Sequence, residues 1–192
     1  MPTLLSVQVS QARRVQINGR NVLTAISKQA IQGDVPVMPL GLMGDEQADL
    51  SVHGGLDKAV YAYPSEHYPF WQAARRQAGL ADIDDALPFG SLGENLSLQG
   101  VLEGEVWIGD ELKFEHCTLR VTQPREPCYK FNAAMGFSAA SKTMALQGNC
   151  GFYLAVDEPG RLRAGESFTW VPGPRRLSLK EAFNAKMFKH LR

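Results

Sequence analysis

Glycine and proline interrupt this chain so often that no apolar run grows into a long element. There are 18 glycines and 11 prolines among 192 residues, spread from end to end. Short apolar runs between frequent breakers are the pattern of many short strands joined by turns. The expected fold class is therefore mainly β or α+β, a barrel or sandwich rather than a succession of βαβ units, with a few peripheral helices. A chain of this length buries about 70% of the surface it exposes when unfolded, enough for a full core without staples.

Strands are expected at Leu4–Val9, Arg13–Ile17, Arg20–Thr24, Ala59–Tyr63, Cys117–Thr122, Phe152–Val156 and Ser167–Val171. Asn18-Gly19 joins the second and third as a two-residue hairpin, since both residues tolerate positive φ. Pro36 and Pro39 confine Val35–Leu42 to an edge or a loop, because proline cannot donate to a ladder. Trp107-Ile108 and Leu112–Phe114 flank a turn at Gly109-Asp110. Helices are expected over Tyr68–Ala78, with Pro69 in its first turn and Gly79 past its end, and over Ser138–Leu146 with Ser138 as cap. The C-terminus carries the clearest helix signal. Ser178 and Glu181 form a capping box, and Leu179, Phe183, Met187 and Leu191 recur on one face. A Pro-Gly-Pro link (Pro172–Pro174) precedes it, dividing the chain into a domain over 1–174 and a C-terminal helix over 175–192.

Lys plus Arg and Asp plus Glu each number 20, giving a formal net charge of zero. A neutral chain lacks the field that neutralises phosphates, so no nucleic-acid partner is expected. No stretch reaches the roughly 18 apolar residues of a membrane helix, so no membrane partner is expected either. Three cysteines are too few for a disulfide framework, and the odd count leaves a free thiol. With no secretion signal in Met1–Ser10, the expected location is cytoplasmic.

Several motif readings fail. Asp45, Gln47 and Asp49 imitate the start of a calcium loop, but Leu50 and Leu56 stand where its glycine and bidentate glutamate belong. Gly136–Ala140 lacks the last glycine of a nucleophile elbow. His67 and His116 have no evident local partner, and Trp71, Trp107 and Trp170 fall on apolar faces expected in the core. Cys117, on a face with Leu119 and Val121, and Cys150, beside Gly151, are also expected to be core residues.

Three segments carry chemistry. In Gly41–Tyr63, Gly44, Gly54 and Gly55 allow close backbone approach to a ligand, and His53 and Lys58 are placed to reach an anion. An ordered turn with His53 bonded to backbone explains the same residues. In Gly93–Ser97, Glu94 and Asn95 are either ligand contacts or a polar turn before a strand. In Thr122–Asn132, Pro124 and Pro127 stiffen the chain around Cys128, and Arg125 and Lys130 bracket the thiol with positive charge. Nearby cations favour thiolate over thiol, which makes sulfur a nucleophile or a soft-metal ligand.

Five motifs carry a family resemblance. They are Gly-Asp-x-Gln-Ala-Asp (Gly44–Asp49), His-Gly-Gly-x-Asp-Lys-Ala (His53–Ala59), Tyr-Pro-x-Glu-His-Tyr-x-x-Trp (Tyr63–Trp71), Phe-Gly and Gly-Glu-Asn-Leu within Phe89–Leu96, and Gln-Pro-Arg-x-Pro-Cys-Tyr-Lys (Gln123–Lys130). In this order they resemble the MOSC family, domains related to the C-terminal part of molybdenum cofactor sulfurase, and within it the bacterial 6-hydroxylaminopurine resistance proteins. The resemblance implies a β-barrel core and a pterin-type molybdenum cofactor. It implies Cys128 as the molybdenum ligand and the catalytic residue, with His53, Gly54, Gly55, Lys58, Glu94, Asn95, Arg125 and Lys130 as cofactor-binding candidates. It implies reduction of N-hydroxylated compounds, such as hydroxylaminopurine-like base analogues, to amines. The cofactor carries that chemistry, and an external reductase protein supplies electrons, since the chain has no flavin or iron–sulfur motif. The alternative is a sulfur carrier holding a persulfide on Cys128, or a module that delivers the cofactor without turnover. In this reading 175–192 resembles the remnant of a helical appendage.

Overall fold

The structure is a computed structural model and describes residues 1–48, 54–80 and 85–188. Its strands are β1 (Thr3–Val9), β2 (Arg13–Ile17), β3 (Arg20–Thr24), β4 (Gln29–Ala30), β5 (Val35–Met38), β6 (Gly41–Leu42), β7 (Val60–Pro64), β8 (Leu96–Gln99), β9 (Glu111–Lys113), β10 (Thr118–Pro124), β11 (Phe152–Glu158), β12 (Gly160–Leu162) and β13 (Thr169–Val171). Its α-helices are α1 (Tyr68–Gln77), α2 (Tyr129–Met135), α3 (Ala140–Gln147) and α4 (Leu179–Met187). Among the described residues no helix is long and apolar enough to cross a membrane.

Eight strands form one mixed sheet in the order β13-β9-β10-β11-β7-β8-β1-β4. The ladders are antiparallel except β7 with β8. Parallel neighbours need a crossover, and α1 lies on it. The expected barrel is not closed, because no ladder joins β13 to β4. The sheet curls part of the way. Thr3 bridges Ser167, and Leu4 N donates to Glu166 O at 2.9 Å, bringing the chain before β13 against β1. Twist accumulated over short strands gives this curl, and β4 pairs with only the last residues of β1, leaving the edge open.

Alternation on β7 shows how the layers divide. Val60 and Ala62 enter one apolar cluster, with Leu4, Leu96, Leu119, Phe152 and Leu154. Tyr61 and Tyr63 enter another on the opposite face, with Trp71 of α1, Phe131 and Met135 of α2, and Met144 of α3. The first cluster also takes Val35, Val37, Leu42 and Leu162 from the small sheet β12-β5-β6.

The β2–β3 hairpin forms in the expected register, with Asn18 and Gly19 at φ 50° and 74°. Other expectations need correction. Pro36 lies in the central strand of the small sheet, not at an edge. It is tolerated because the ladder is short and Pro36 contributes its carbonyl, which accepts from Met43 N. Ser138 caps nothing. The cap position of α3 is Ala139, and Asn132 on α2 accepts from Ser141 N instead. Trp71 is fully buried, whereas Trp107 and Trp170 are only partly so. Residues 129–135, for which no helix is expected from the sequence, are α2, ended by Gly136 in the left-handed region. The C-terminal helix keeps its capping box and docks through Leu179 and Phe183.

Candidate functional site

The cleft of interest lies where the end of β10, the turn before β8 and the segment after β3 meet. It is open to solvent, and its walls include Lys28, Asp45, Lys58, Tyr61, Asn95, Arg125, Cys128, Lys130 and Tyr153. Cys128 is half-buried and stands just ahead of α2 in extended backbone. The ends of β10 and β11 hold it there, with Pro124 opposite Phe152 in the ladder.

Arg125 is the structural centre of this region. It is buried, with its guanidinium 4.9 Å from the Tyr61 ring centre and 4.8 Å from that of Phe131. It donates to Leu92 O at 3.0 Å and Tyr61 Oη at 3.4 Å. Burial alone would depress the guanidinium, but Tyr61, Tyr153 and Cys128 beside it hold it above its ordinary value.

Glu94 grips the same turn from behind. Its carboxylate accepts from Gly90 N at 2.8 Å, Leu92 N at 3.2 Å, Ser97 Oγ at 2.9 Å and the Tyr68 hydroxyl. Leu92 is thus held at its amide by Glu94 and at its carbonyl by Arg125. The turn needs positive φ at Gly90 and Gly93, 91° and 84°, and a Cβ on Gly93 would come within 2.8 Å of the Ile26 side chain. Burial pushes the Glu94 carboxyl above its ordinary value, against the pull of its donors. Glu94 does not reach the cleft; it braces the cleft wall.

Asn95 lines the cleft with its capacity already used. Its Oδ1 accepts from Tyr61 N at 3.0 Å, and its Nδ2 donates to Gln8 O at 3.1 Å and Asp45 Oδ2 at 2.8 Å. Asp45 in turn accepts from Ser10 N at 2.8 Å and pairs with Lys28 at 2.5 Å, both side chains 7% exposed. Burial holds the Lys28 ammonium below its ordinary value, with Asp45 opposing.

Lys58 and Lys130 stand at the rim. The Lys58 ammonium lies 5.6 Å from the Tyr153 ring centre, and burial and then Lys186 hold it below its ordinary value. Lys130 donates to Leu23 O at 3.2 Å. Gly54 and Gly55 lie outside the cleft walls, and Gly55 N donates to Gln47 Oε1 at 2.8 Å. His53 lies outside the described residues.

Sequence reasoning thus brings together Lys58, Asn95, Arg125, Cys128 and Lys130. It missed Lys28, Tyr61 and Tyr153. The tyrosines sit on strands whose pairing, Tyr153 opposite Tyr61, aligns them. Lys28 has no motif around it. His67, for which no local partner is expected, finds a distant one: its Nε2 is 2.7 Å from Glu103 Oε2. That contact bridges 36 residues of chain, beyond any local pattern. Among the described residues no three His, Cys, Asp or Glu side chains converge on a metal position.

Comparisons with known proteins agree with this architecture. A family model described as the MOSC domain matches residues 49–169. Protein YiiM of Escherichia coli (strain K12) is 37% identical over 159 residues, covering 83% of this chain and 69% of that protein. A Gibberella moniliformis protein named Reductase is 32% identical over 173 residues, 89% of this chain but 29% of that protein. The crystal structure of YiiM from Geobacillus stearothermophilus superposes with a TM-score of 0.77 at 26% identity, covering 100% of this chain and 87% of that one. The family match, the sequence relatives and the backbone agree, and the chain belongs to the MOSC domain family.

Proposed function

We propose that this protein binds a pterin-type molybdenum cofactor and reduces N-hydroxylated compounds to amines with electrons from a separate protein. One observation carries the reading: a half-buried thiol, Cys128, opens onto a cleft lined by Lys28, Lys58, Arg125 and Lys130. A thiolate is a soft ligand that suits a heavy transition metal. Fixed cations and amides suit a phosphate-bearing cofactor. The residues present therefore fit the group.

Cys128 would hold the metal, and Lys58, Arg125 and Lys130 would hold the anionic part. When bound, the cofactor supplies the two-electron chemistry that breaks an N–O bond. The chain's own work is positioning. Arg125 fixes the loop before Cys128 by clamping Leu92 between itself and Glu94. The Tyr61 ring lies against that cation, with the Tyr153 ring tilted beside it, and both form part of the wall. The Lys28–Asp45 pair adds a braced polar pair to the cleft wall. The name of the Gibberella moniliformis relative supports an oxidoreductase.

The test is metal analysis of protein made in a host that synthesises the cofactor. The expected result is roughly one molybdenum per chain, lost in Cys128→Ala, with donor-dependent disappearance of a hydroxylamine. Stoichiometric molybdenum in Cys128→Ala would overturn the ligand assignment. A sulfur adduct on Cys128 without molybdenum would identify a sulfur carrier, and bound cofactor without turnover a delivery module.

A further inference from the structure

We infer that the β2–β3 hairpin is a docking surface for an acidic electron-transfer protein, presented at the rim of the cleft. The inference rests on the reductase reading for its purpose and on the hairpin's own geometry for its place.

The hairpin pairs only with itself, as a two-stranded sheet apart from the main one. Arg13, Arg14 and Arg20 are exposed on it. Among the described residues none of the three has a carboxylate partner. Elsewhere on the surface, Arg120 pairs with Asp157, and Arg161 and Arg163 share Asp34. The chain is neutral overall, so this excess of positive charge is local. One carboxylate, Glu46, accepts from Ala12 N at the hairpin's base, and it leaves the arginines uncompensated.

Strand alternation sorts the two faces. Ile17 and Thr24 are buried, so their face turns inward. The outward face sets Arg14 opposite Leu23, with Gln16 opposite Asn21; Arg13 and Arg20 pair with Thr24 and Ile17 on the other face and are exposed at its two ends. Leu23 is 40% exposed. An apolar side chain ringed by arginine and amides is the composition of a protein-binding surface.

Position ties this surface to the cleft. Lys130, a cleft residue, bonds the carbonyl of Leu23. Thr24, Ala25 and Ile26 run directly from β3 into the cleft wall. A partner on the hairpin therefore sits at the mouth, beside the further cations Lys58 and Lys130. In the Gibberella moniliformis relative the match covers 29% of the protein, so there the domain works alongside other polypeptide.

The reaction needs such a partner. Converting R–NHOH to R–NH2 and water breaks one N–O bond and consumes two electrons and two protons. The electrons come from the reduced carrier, which is oxidised, and the protons from solvent. Opposite charge on carrier and hairpin would speed encounter and make it sensitive to salt.

The test uses the cofactor-loaded protein with two donors. Reduced flavodoxin is an acidic protein carrier; reduced methyl viologen is a small donor that needs no docking surface. In Arg14→Glu/Arg20→Glu, kcat/KM for flavodoxin should fall about tenfold and lose its salt dependence, with methyl viologen turnover and substrate KM changed by no more than about twofold. Calorimetric titration with oxidised flavodoxin should weaken by the same factor, independently of turnover. Arg14→Gln gives a milder change should the double variant fold poorly. Equal loss with both donors overturns the inference, as does unchanged flavodoxin binding or none to the parent. A rise in substrate KM alone would assign the arginines to a substrate anion and also overturn it. Arginine-dependent flavodoxin binding with no methyl viologen turnover in the parent would sink the reductase reading and leave the docking surface standing.

Discussion

Cys128 and Cys150 lie at the same end of the same strand pair, yet the fold treats them as different chemical groups. Cys128 follows β10 and Cys150 precedes β11, whose ladder sets Pro124 against Phe152. Cys150 is 1% exposed, and its thiol faces the carbonyl of Gly151. Burial first, then Glu103, push that thiol far above its ordinary value. Cys128 is half-buried beside Arg125 and Lys130. Each side has its own carboxylate brace. Glu94 holds the turn behind the cleft, while Glu103 accepts from Gly151 N at 2.8 Å and meets His67. A displacement of a few residues past a strand end decides whether sulfur packs as core or lines a cleft. The pair teaches that neighbours, not residue type, set a thiol's role.

The largest effect that would break this contrast is in alkylation. Treated with iodoacetamide at pH 8, the native protein should label Cys128 about 1,000-fold faster than Cys117 or Cys150, because only a thiolate reacts and burial suppresses it. Peptide mapping by mass spectrometry reads the three rates. Labelling of Cys150 at a rate near that of Cys128 would dissolve the distinction.

Next in size are the braces. Glu94→Gln keeps the shape but points an amide donor at groups that all donate, so it should cost about 3 kcal/mol. Glu103→Gln, with fewer partners to lose, should cost about 1 kcal/mol. Urea midpoints with unchanged slopes measure both. Glu94→Gln should also slow the labelling of Cys128, since Leu92 couples Glu94 to Arg125, whereas Glu103→Gln should not.

Local patterns made the longer strands β1, β2, β3, β7, β10 and β11, the Asn18-Gly19 hairpin and the Ser178–Glu181 cap legible, because spacing and turn chemistry encode them directly. What stayed hidden depends on contacts distant in sequence. Lys28 meets Asp45 across a loop, and His67 meets Glu103 over 36 residues. Helix α2 is only seven residues long, and its apolar pair Phe131 and Met135 is too brief a period to stand out. Its boundary signals, Pro127 before and Gly136 after, also serve other readings, Pro127 as a stiffener beside Cys128 and Gly136 as the start of an incomplete nucleophile elbow. The site motifs were visible as motifs. That Glu94 braces the wall while Asn95 lines it follows only from the contacts of the turn before β8, where Glu94 is held by Gly90, Leu92, Ser97 and Tyr68 and Asn95 by Gln8, Asp45 and Tyr61.

A smaller effect lies in alkaline stability. Burial first, then Glu166 and Glu158, push the Cys117 thiol up to about 12. The folded state therefore holds the proton more tightly than the unfolded chain. This contribution is fully present below the ordinary thiol value and is lost as pH rises toward 12. Between pH 8 and 10.5 the urea midpoint should fall by the equivalent of on the order of 1 kcal/mol. Cys117→Val should lessen that decline, with the buried Cys150 thiol supplying its own share of what remains, and Cys128→Ala should leave it in place. A Cys117→Val profile as steep as the parent's would remove Cys117 as its cause.

The smallest effect sharpens the boundary of the cleft side. Lys186 on α4 donates to Gln123 Oε1 at 2.8 Å and Glu126 Oε1 at 2.7 Å, the residues flanking Pro124 and Arg125. Its side chain is 28% exposed and that of Glu126 51%, so solvent screens the pair. Lys186→Met should therefore cost only about 0.5 kcal/mol. Helix α4 would stay docked, because Leu179 and Phe183 and the Ser178 cap hold it independently. Removing this like charge should also let the Lys58 ammonium return toward its ordinary lysine value, while burial still holds it down. Cys128 labelling should change by no more than about twofold, since Arg125 keeps its clamp on Leu92. A tenfold or larger change in that rate would mean that α4 sets the thiol loop, and the contrast between the two cysteines would then extend to the C-terminal helix.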